Sequence, residues 1–239
     1  MEQITPTILP AGDSALVFQL GEEILPEVNA RIAALAQVLT EHPVRGLREV
    51  VPAYRSLLIL YDPEQIRGVA LAETVRRIHA RLGAAGAQGR LLTVPALYGG
   101  AVGQDLEDLA RMKSMTPEEI VALHQGAEYR VYMIGFAPGF AYLGGLPERL
   151  HTPRLAAPRQ MVPAGALGIG GAQASVNSVA GPSGWRYIGW TPAHSFVPDA
   201  PEPFLFRPGD RIRFRAIDRA EAEELSLRQA RGERIVPVE

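Results

Sequence analysis

The segment GFAPGFAYLGGLPERLHTPRLAAPRQMVPAGALGIGGAQASVNSVAGPSGWRYIGWTP, residues 135–192, decides the fold of this 239-residue chain. It holds 11 of the 24 glycines and 7 of the 20 prolines in 58 residues, too much punctuation for a helix and too apolar a stretch for disorder. Glycine admits positive φ and proline fixes φ near −65°, so the segment predicts folded β structure with tight turns and a shaped loop surface of the kind that binds ligands.

Working outward, the flanks carry ordinary periodic signals. On the C-terminal side, RIRFRAI (211–217) reads as a strand after a Pro-Gly-Asp turn, and residues 221–239 read as a charged helical tail. On the N-terminal side, YRVYMI (129–134) reads as a strand. Thr116-Pro117-Glu118-Glu119 reads as a capping box that opens a helix running to about Gln125, and residues 105–112 form another short helix. Strand-like runs at 15–20, 47–51, 57–61 and 90–95 alternate with helical stripes (Leu25, Val28, Ile32, Leu35, Leu39; then Val69, Ala72, Val75, Ile78, Leu82). That order, βαββαβ, predicts a ferredoxin-like α/β sandwich over 1–95, with Gly83 to Gly89 as the turn before its last strand. The Gly-rich stretch PALYGGAVG (95–103) is expected to link it to a barrel domain over 96–220.

Composition excludes several function classes. With no cysteine there are no disulfides, thiolate metal sites or cysteine nucleophiles, a composition that suits a reducing cytoplasm. No stretch approaches 18 apolar residues, which argues against a membrane span, and the first residues do not read as an export signal. A net charge of −2 with both signs dispersed offers no nucleic-acid footprint. Lys113, the only lysine, follows Met112 in no phosphate loop, so ATP, if used, is not held by a P-loop. GIGG (168–171) lacks the third glycine of a dinucleotide fingerprint, GPSGW (181–185) is not a nucleophile elbow, and the five histidines show no metal-binding spacing.

The wording of GFAPGFAYLGGL (135–146), PRQMVPAGALGIGGAQ (158–173) and GWRYIGWTP (184–192) resembles the B-subunit family of 5-oxoprolinases, also called the KipI or allophanate hydrolase subunit 1 family. GDSALVF (12–18) and VVPAYRSLLILYDP (50–63) extend the resemblance to nearly the whole chain. It implies a small α/β domain followed by a cyclophilin-like β-barrel, and an ATP-dependent opening of the lactam of 5-oxoproline to glutamate. It also implies a C-type partner subunit and an A-type subunit in a cytoplasmic hetero-oligomer. Two other activities known in the family stay open: protein-contact inhibition of a sensor histidine kinase, and half of a biotin-dependent, urea-type carboxyltransferase. After the glutamine, where the family typically has threonine-glycine-isoleucine-tyrosine-proline, this chain has Ala174-Ser175-Val176-Asn177-Ser178, and Trp190 replaces an arginine.

The resemblance also points to site residues, several of them with a plainer alternative. His124, just ahead of the 129–134 strand, is expected as proton relay or ligand donor; alternatively it is a core histidine bonded to a carbonyl. Arg159 is expected to hold carboxylate or phosphate; alternatively it is one of many surface arginines. Gln173 is expected to orient the amide, since an amide side chain both donates and accepts. Phe136, Pro138, Gly139 and Phe140 are expected to form one wall of a cleft, or else a tight turn packed into the barrel. Asn177, inside the divergent stretch, is taken as a further substrate contact.

Overall fold

The computed structural model describes residues 5–82 and 89–238, and its contacts divide the chain into two compact units, 1–88 and 89–239. In the first unit, strands β1 (Thr7–Pro10), β2 (Ala15–Gln19), β3 (Leu47–Pro52) and β4 (Ser56–Tyr61) form an antiparallel sheet in the order β1-β2-β4-β3. Helices α1 (Pro26–Glu41) and α2 (Gly68–Arg81) bury one face of it: Leu16, Phe18, Leu57, Ile59 and Tyr61 share a core with Val28, Ile32, Leu35, Leu39, Leu71 and Val75. The helical stripes are those expected, except that Val69 points to solvent and His79 turns inward.

Two expectations for this unit are corrected. The order is ββαββα rather than βαββαβ. The edge position that residues 90–95 were expected to fill is taken by β1, which folds back on β2 through a turn at Gly12, where φ is +70°. A hairpin closes by local contacts, so this edge needs no distant strand. In addition, β4 lies inside the sheet but is buried on one side only, since Leu58 and Leu60 are half-exposed. Of the turn expected at 83–89, residues 83–88 lie outside the described residues.

The second unit is a closed seven-stranded barrel. Around it run β10 (Gln173–Val176), β7 (Ala141–Gly144), β6 (Glu128–Ile134), β13 (Arg211–Ala216), β5 (Leu91–Tyr98), β12 (Arg186–Trp190) and β9 (Ala166–Gly170). A two-stranded ribbon of β8 (Arg159–Val162) and β11 (Gly181–Ser183) accompanies it. The 90–95 run therefore belongs to the barrel: β5 pairs in parallel with β13 from Leu91↔Arg211 to Ala216↔Ala96, and antiparallel with β12 at Gly189↔Tyr98. Its partners lie more than 90 residues away, and no local pattern announces a parallel pairing of that reach.

The stretch expected as a linker, 95–103, is the end of β5 and a tight turn in which the Gly103 N–H donates to the Gly99 carbonyl at 2.9 Å. A Cβ on Gly103 would lie 2.2 Å from the Ile188 carbonyl oxygen, so this turn is packed on β12 and only glycine fits. Helix α3 (Leu106–Lys113) and α4 (Pro117–Gly126) follow, the latter opened by the expected capping box: Glu119 N–H to Thr116 Oγ1 at 3.2 Å, and Thr116 N–H to Glu119 Oε2 at 2.7 Å.

The C-terminal segment is no loose tail. Helix α5 (Arg219–Ala230), capped by Asp218, puts Ala222 and Leu225 into the barrel core, and Ile235 and Val236 join them.

This placement of β5 gives a test. We expect a fragment of residues 89–239 to fold as a β-rich domain, and a fragment beginning at residue 96 to stay unfolded by circular dichroism, because it lacks the strand between β13 and β12. Equal folding of both fragments would contradict the pairing.

Candidate functional site

Strand β9 shows how the sequence builds a surface on the barrel wall. Leu167 and Ile169 point into the main core, so Gly168 and Gly170 face outward. The register lines up Tyr142, Ser175, Gly168 and Tyr187 across four strands, and directly opposite residues share a face. A Cβ on Gly168 would meet Ser175 Oγ at 2.7 Å and Tyr187 Cε1 at 3.0 Å. One on Gly170 would meet Trp185 Cε3 at 2.8 Å and Arg154 Cγ at 3.1 Å. The GIGG run is thus a bed for aromatic rings. Phe140, Val162, Ala166, Trp185 and Tyr187 form a second small core on it, with Tyr142 and Ala137 packed alongside.

Above this bed lies a cleft of about 340 Å³, lined by Phe136, Tyr142, Trp185, Arg154, Ser183 and nearby loop residues. Its walls are aromatic: Phe140 lies 4.7 Å from Tyr142 and 6.1 Å from Trp185, and Phe136 meets Phe140 edge-on at 5.6 Å between ring centroids. Phe136 is 74% exposed and has φ of +70°, a left-handed conformation that costs a bulky residue roughly 1–3 kcal/mol. Such strain, on an aromatic ring held out at a rim, marks functional sites more than cores. Polar groups are few. Ser183 Oγ accepts from Tyr187 Oη at 2.7 Å and from the Trp185 N–H at 3.3 Å, leaving its own proton for a ligand. The Arg154 guanidinium sits 4.6 Å from the Trp185 ring centroid.

The expected site residues are only partly brought together. Phe136 lines the cleft, and Phe140 lies under it at 1% exposure. Pro138 is exposed on the same loop, and Gly139, at φ +77°, is buried against Ser195, whose carbonyl oxygen would lie 2.8 Å from a Cβ there. Gly139 thus seats the loop. Gln173 lies half-buried opposite Gly170, so its side chain shares the cleft's face of the sheet. Asn177 is buried, and its amide donates to the carbonyls of Pro163 at 2.8 Å and Val179 at 3.0 Å, which makes it a loop anchor rather than a substrate contact.

Arg159 and His124 differ most from expectation. Arg159 donates from both terminal nitrogens to Asp105, at 2.9 and 2.5 Å, and its Nη1 also faces the Trp185 carbonyl at 3.4 Å. Its fork is already filled by a carboxylate of this chain. Asp105, 2% exposed, also accepts from the Tyr187 N–H at 2.6 Å, so it ties the start of α3 to β8 and β12 beneath the cleft. His124 is 1% exposed and its Nδ1 lies 2.8 Å from Tyr98 Oη, while Phe214 and Tyr129 pack on its ring at 4.7 and 5.2 Å. Burial alone pushes its pKa down to about 3. It is a neutral core histidine and does not line the cleft. Lys113, in the last turn of α3, donates its Nζ to the His151 carbonyl. Among the described residues no group of three or more metal-ligating side chains is present, and no helix is long and apolar enough to cross a membrane.

Sequence reasoning missed Asp105, Tyr142, Arg154, Ser183 and Trp185. Asp105 is 54 residues from Arg159, and nothing in the sequence links the two. Trp185 lies inside the GWRYIGWTP motif, where a large aromatic among glycines is a signal that could have found it.

Two measurements check these assignments. Asp105→Ala leaves Arg159 and the Tyr187 amide without their acceptor and is expected to lower unfolding free energy by about 3 kcal/mol, read from denaturant midpoints. The depressed His124 pKa makes its stabilisation complete above the unfolded value near 6.5 and progressively lost as pH falls toward 3, at up to about 1.4 kcal/mol per pH unit. His124→Gln should therefore flatten the fall in stability between pH 7.5 and 5. An unchanged slope would show that the His124 pKa is the same in the folded and unfolded states.

Residues 6–206 match the family described as the carboxyltransferase domain, subdomain C and D. The B subunit of the Bacillus subtilis 5-oxoprolinase is 39% identical over 214 residues, covering 85% of this chain and 89% of that protein. The B subunit of the Escherichia coli O157:H7 5-oxoprolinase is 41% identical over 204 residues, covering 85% and 92%. The crystal structure of TTHA0988 superposes with a TM-score of 0.77 at 35% identity, over 85% of this chain and 40% of that longer one. The urea carboxylase of Kluyveromyces lactis has the same fold, with a TM-score of 0.79 at 20% identity over 98% of this chain and 24% of that one. The chain belongs to the carboxyltransferase domain, subdomain C and D family.

Proposed function

We propose that this chain is the B component of a 5-oxoprolinase, acting with a C-type partner and an A-type subunit to open the lactam of 5-oxoproline to glutamate. The observation that carries this reading is the identity of about 40% to the B components of 5-oxoprolinases over most of both chains. On this reading the barrel is cyclophilin-like, the assembly is a cytoplasmic hetero-oligomer, and the reaction consumes ATP.

The described residues do not fit a triphosphate. Gly165 to Gly171 lie in and beside a strand with no helix after them, and the only lysine is bound to a backbone carbonyl. Nucleotide handling is therefore assigned to the assembly rather than to this chain.

What this chain contributes is a place for the ring. A lactam amide is planar, and a flat ring can lie in the cleft against Tyr142 and Phe136 with its polar groups turned to Ser183 and Arg154. The Ser183 hydroxyl is positioned to donate to the ring carbonyl, a bond that would strengthen as negative charge develops on that oxygen. Arg159 and Asp105 hold the Trp185 and Tyr187 backbone in place beneath, as positioning residues. His124 is sealed in the core and Arg159 is taken by Asp105, so neither reaches the ring, and Gln173 lies at the edge of the bed.

Co-expression with the adjacent subunits should give a complex that forms glutamate and ADP only when 5-oxoproline is added, whereas the isolated chain should give none. Ser183→Ala in the complex should lower kcat at least tenfold, about 1.4 kcal/mol, when assayed well below its melting temperature, where the enzyme remains folded. A complex that is inert with 5-oxoproline but accepts a carboxyl group from carboxybiotin would replace this reading with the carboxyltransferase one.

A further inference from the structure

Arg154 is the arginine that lines the cleft. Ten arginines make ion pairs with aspartate or glutamate among the described residues, and Arg154 is not one of them. Among the described residues, no acidic one lines the cleft it faces. Yet its position is built. On one side the Pro153 carbonyl accepts from Arg186 Nε at 3.0 Å, and on the other the Leu155 N–H donates to the Gly184 carbonyl at 2.7 Å, so the backbone is pinned both before and after it. Its stem crosses Gly170, where even a methyl group would lie 3.1 Å from Cγ, and its guanidinium rests over Trp185.

A guanidinium over an indole is held by the ring's quadrupole while its N–H groups stay available, and two of them match the two oxygens of a carboxylate. A pinned cation without a counter-ion among the described residues, in a cleft of about 340 Å³ lined in part by aromatic rings, suits a small anion with a flat apolar body.

We propose that Arg154 is the carboxylate anchor of the cleft, and that the cleft selects small cyclic carboxylic acids by clasping the carboxylate at Arg154 and the ring against Tyr142 and the exposed Phe136. The class of ligand follows from this geometry. Naming 5-oxoproline as the member bound rests on the function proposed above. The anchoring role expected of Arg159 thus falls to Arg154, five residues earlier in the same Pro-rich segment, because Asp105 has already taken Arg159.

The test is calorimetric titration of the full chain with four compounds: 5-oxoproline, cyclopentanecarboxylate (the ring acid without the lactam), 2-pyrrolidone (the lactam without the acid) and inorganic phosphate. Variants are Arg154→Ala, Arg154→Lys and, as a control outside the cleft, Arg207→Ala. The ring acids should bind at least tenfold more tightly than 2-pyrrolidone and phosphate. Arg154→Ala should remove that advantage at unchanged melting temperature, Arg154→Lys should restore part of it, and Arg207→Ala should change nothing. Equal binding of both ring acids, lost in Arg154→Ala, supports the anchor while counting against 5-oxoproline as the substrate. The proposal is overturned if Arg154→Ala binds the acids as well as the parent, if phosphate or 2-pyrrolidone binds as tightly as the acids, or if no ring acid binds.

Discussion

The buried carboxylate of Asp105 holds together everything that matters for the cleft. It sits at the start of α3, takes both terminal nitrogens of Arg159 from β8 and the N–H of Tyr187 from β12, and so joins a helix, the ribbon and the barrel wall at one point. A charge this deeply buried is tolerable only when its lone pairs are filled, and here at least three donors fill them. The geometry of the cleft follows. Trp185 and Tyr187 keep their places on the glycine bed because their backbone is held from beneath, and Ser183 is oriented by both of them.

The barrel wall is used on both sides, and that explains its unusual composition. Interior positions such as Leu167, Ile169, Ala174 and Val176 fill the core in the ordinary way. Outward positions on an exposed wall would usually be polar, yet here they are Gly168 and Gly170 with Ser175 beside them. Small residues lower the floor so that large rings can lie flat on it. The same spareness leaves room for the stem of Arg154, an arginine that would otherwise wander in solvent.

Capping and periodicity were legible because they are local. The Thr116 box, the stripes of α1 and α2, and the strands at 129–134 and 211–216 all lie where a reading of short windows puts them. What failed were assignments of partners. An apolar run at 91–98 says strand but not which sheet, and the N-terminal hairpin had already taken the vacancy in the first sheet.

By itself the sequence determined that this chain has a small α/β unit and a turn-rich β unit, and that residues 135–192 shape a surface, because backbone preferences of glycine, proline and capping residues act over a few positions. Phe136, Phe140 and Gln173 fall within that segment, at or beneath the cleft. Only the tertiary structure decided which charged and titratable groups are available for chemistry. His124 and Arg159 carry the residue types a site needs, but one is sealed in an aromatic core and the other is neutralised by a carboxylate 54 residues away. Arg154 has the same chemistry as Arg159 and no such partner among the described residues, and that difference is set by burial and by distant charges, which a linear sequence does not contain.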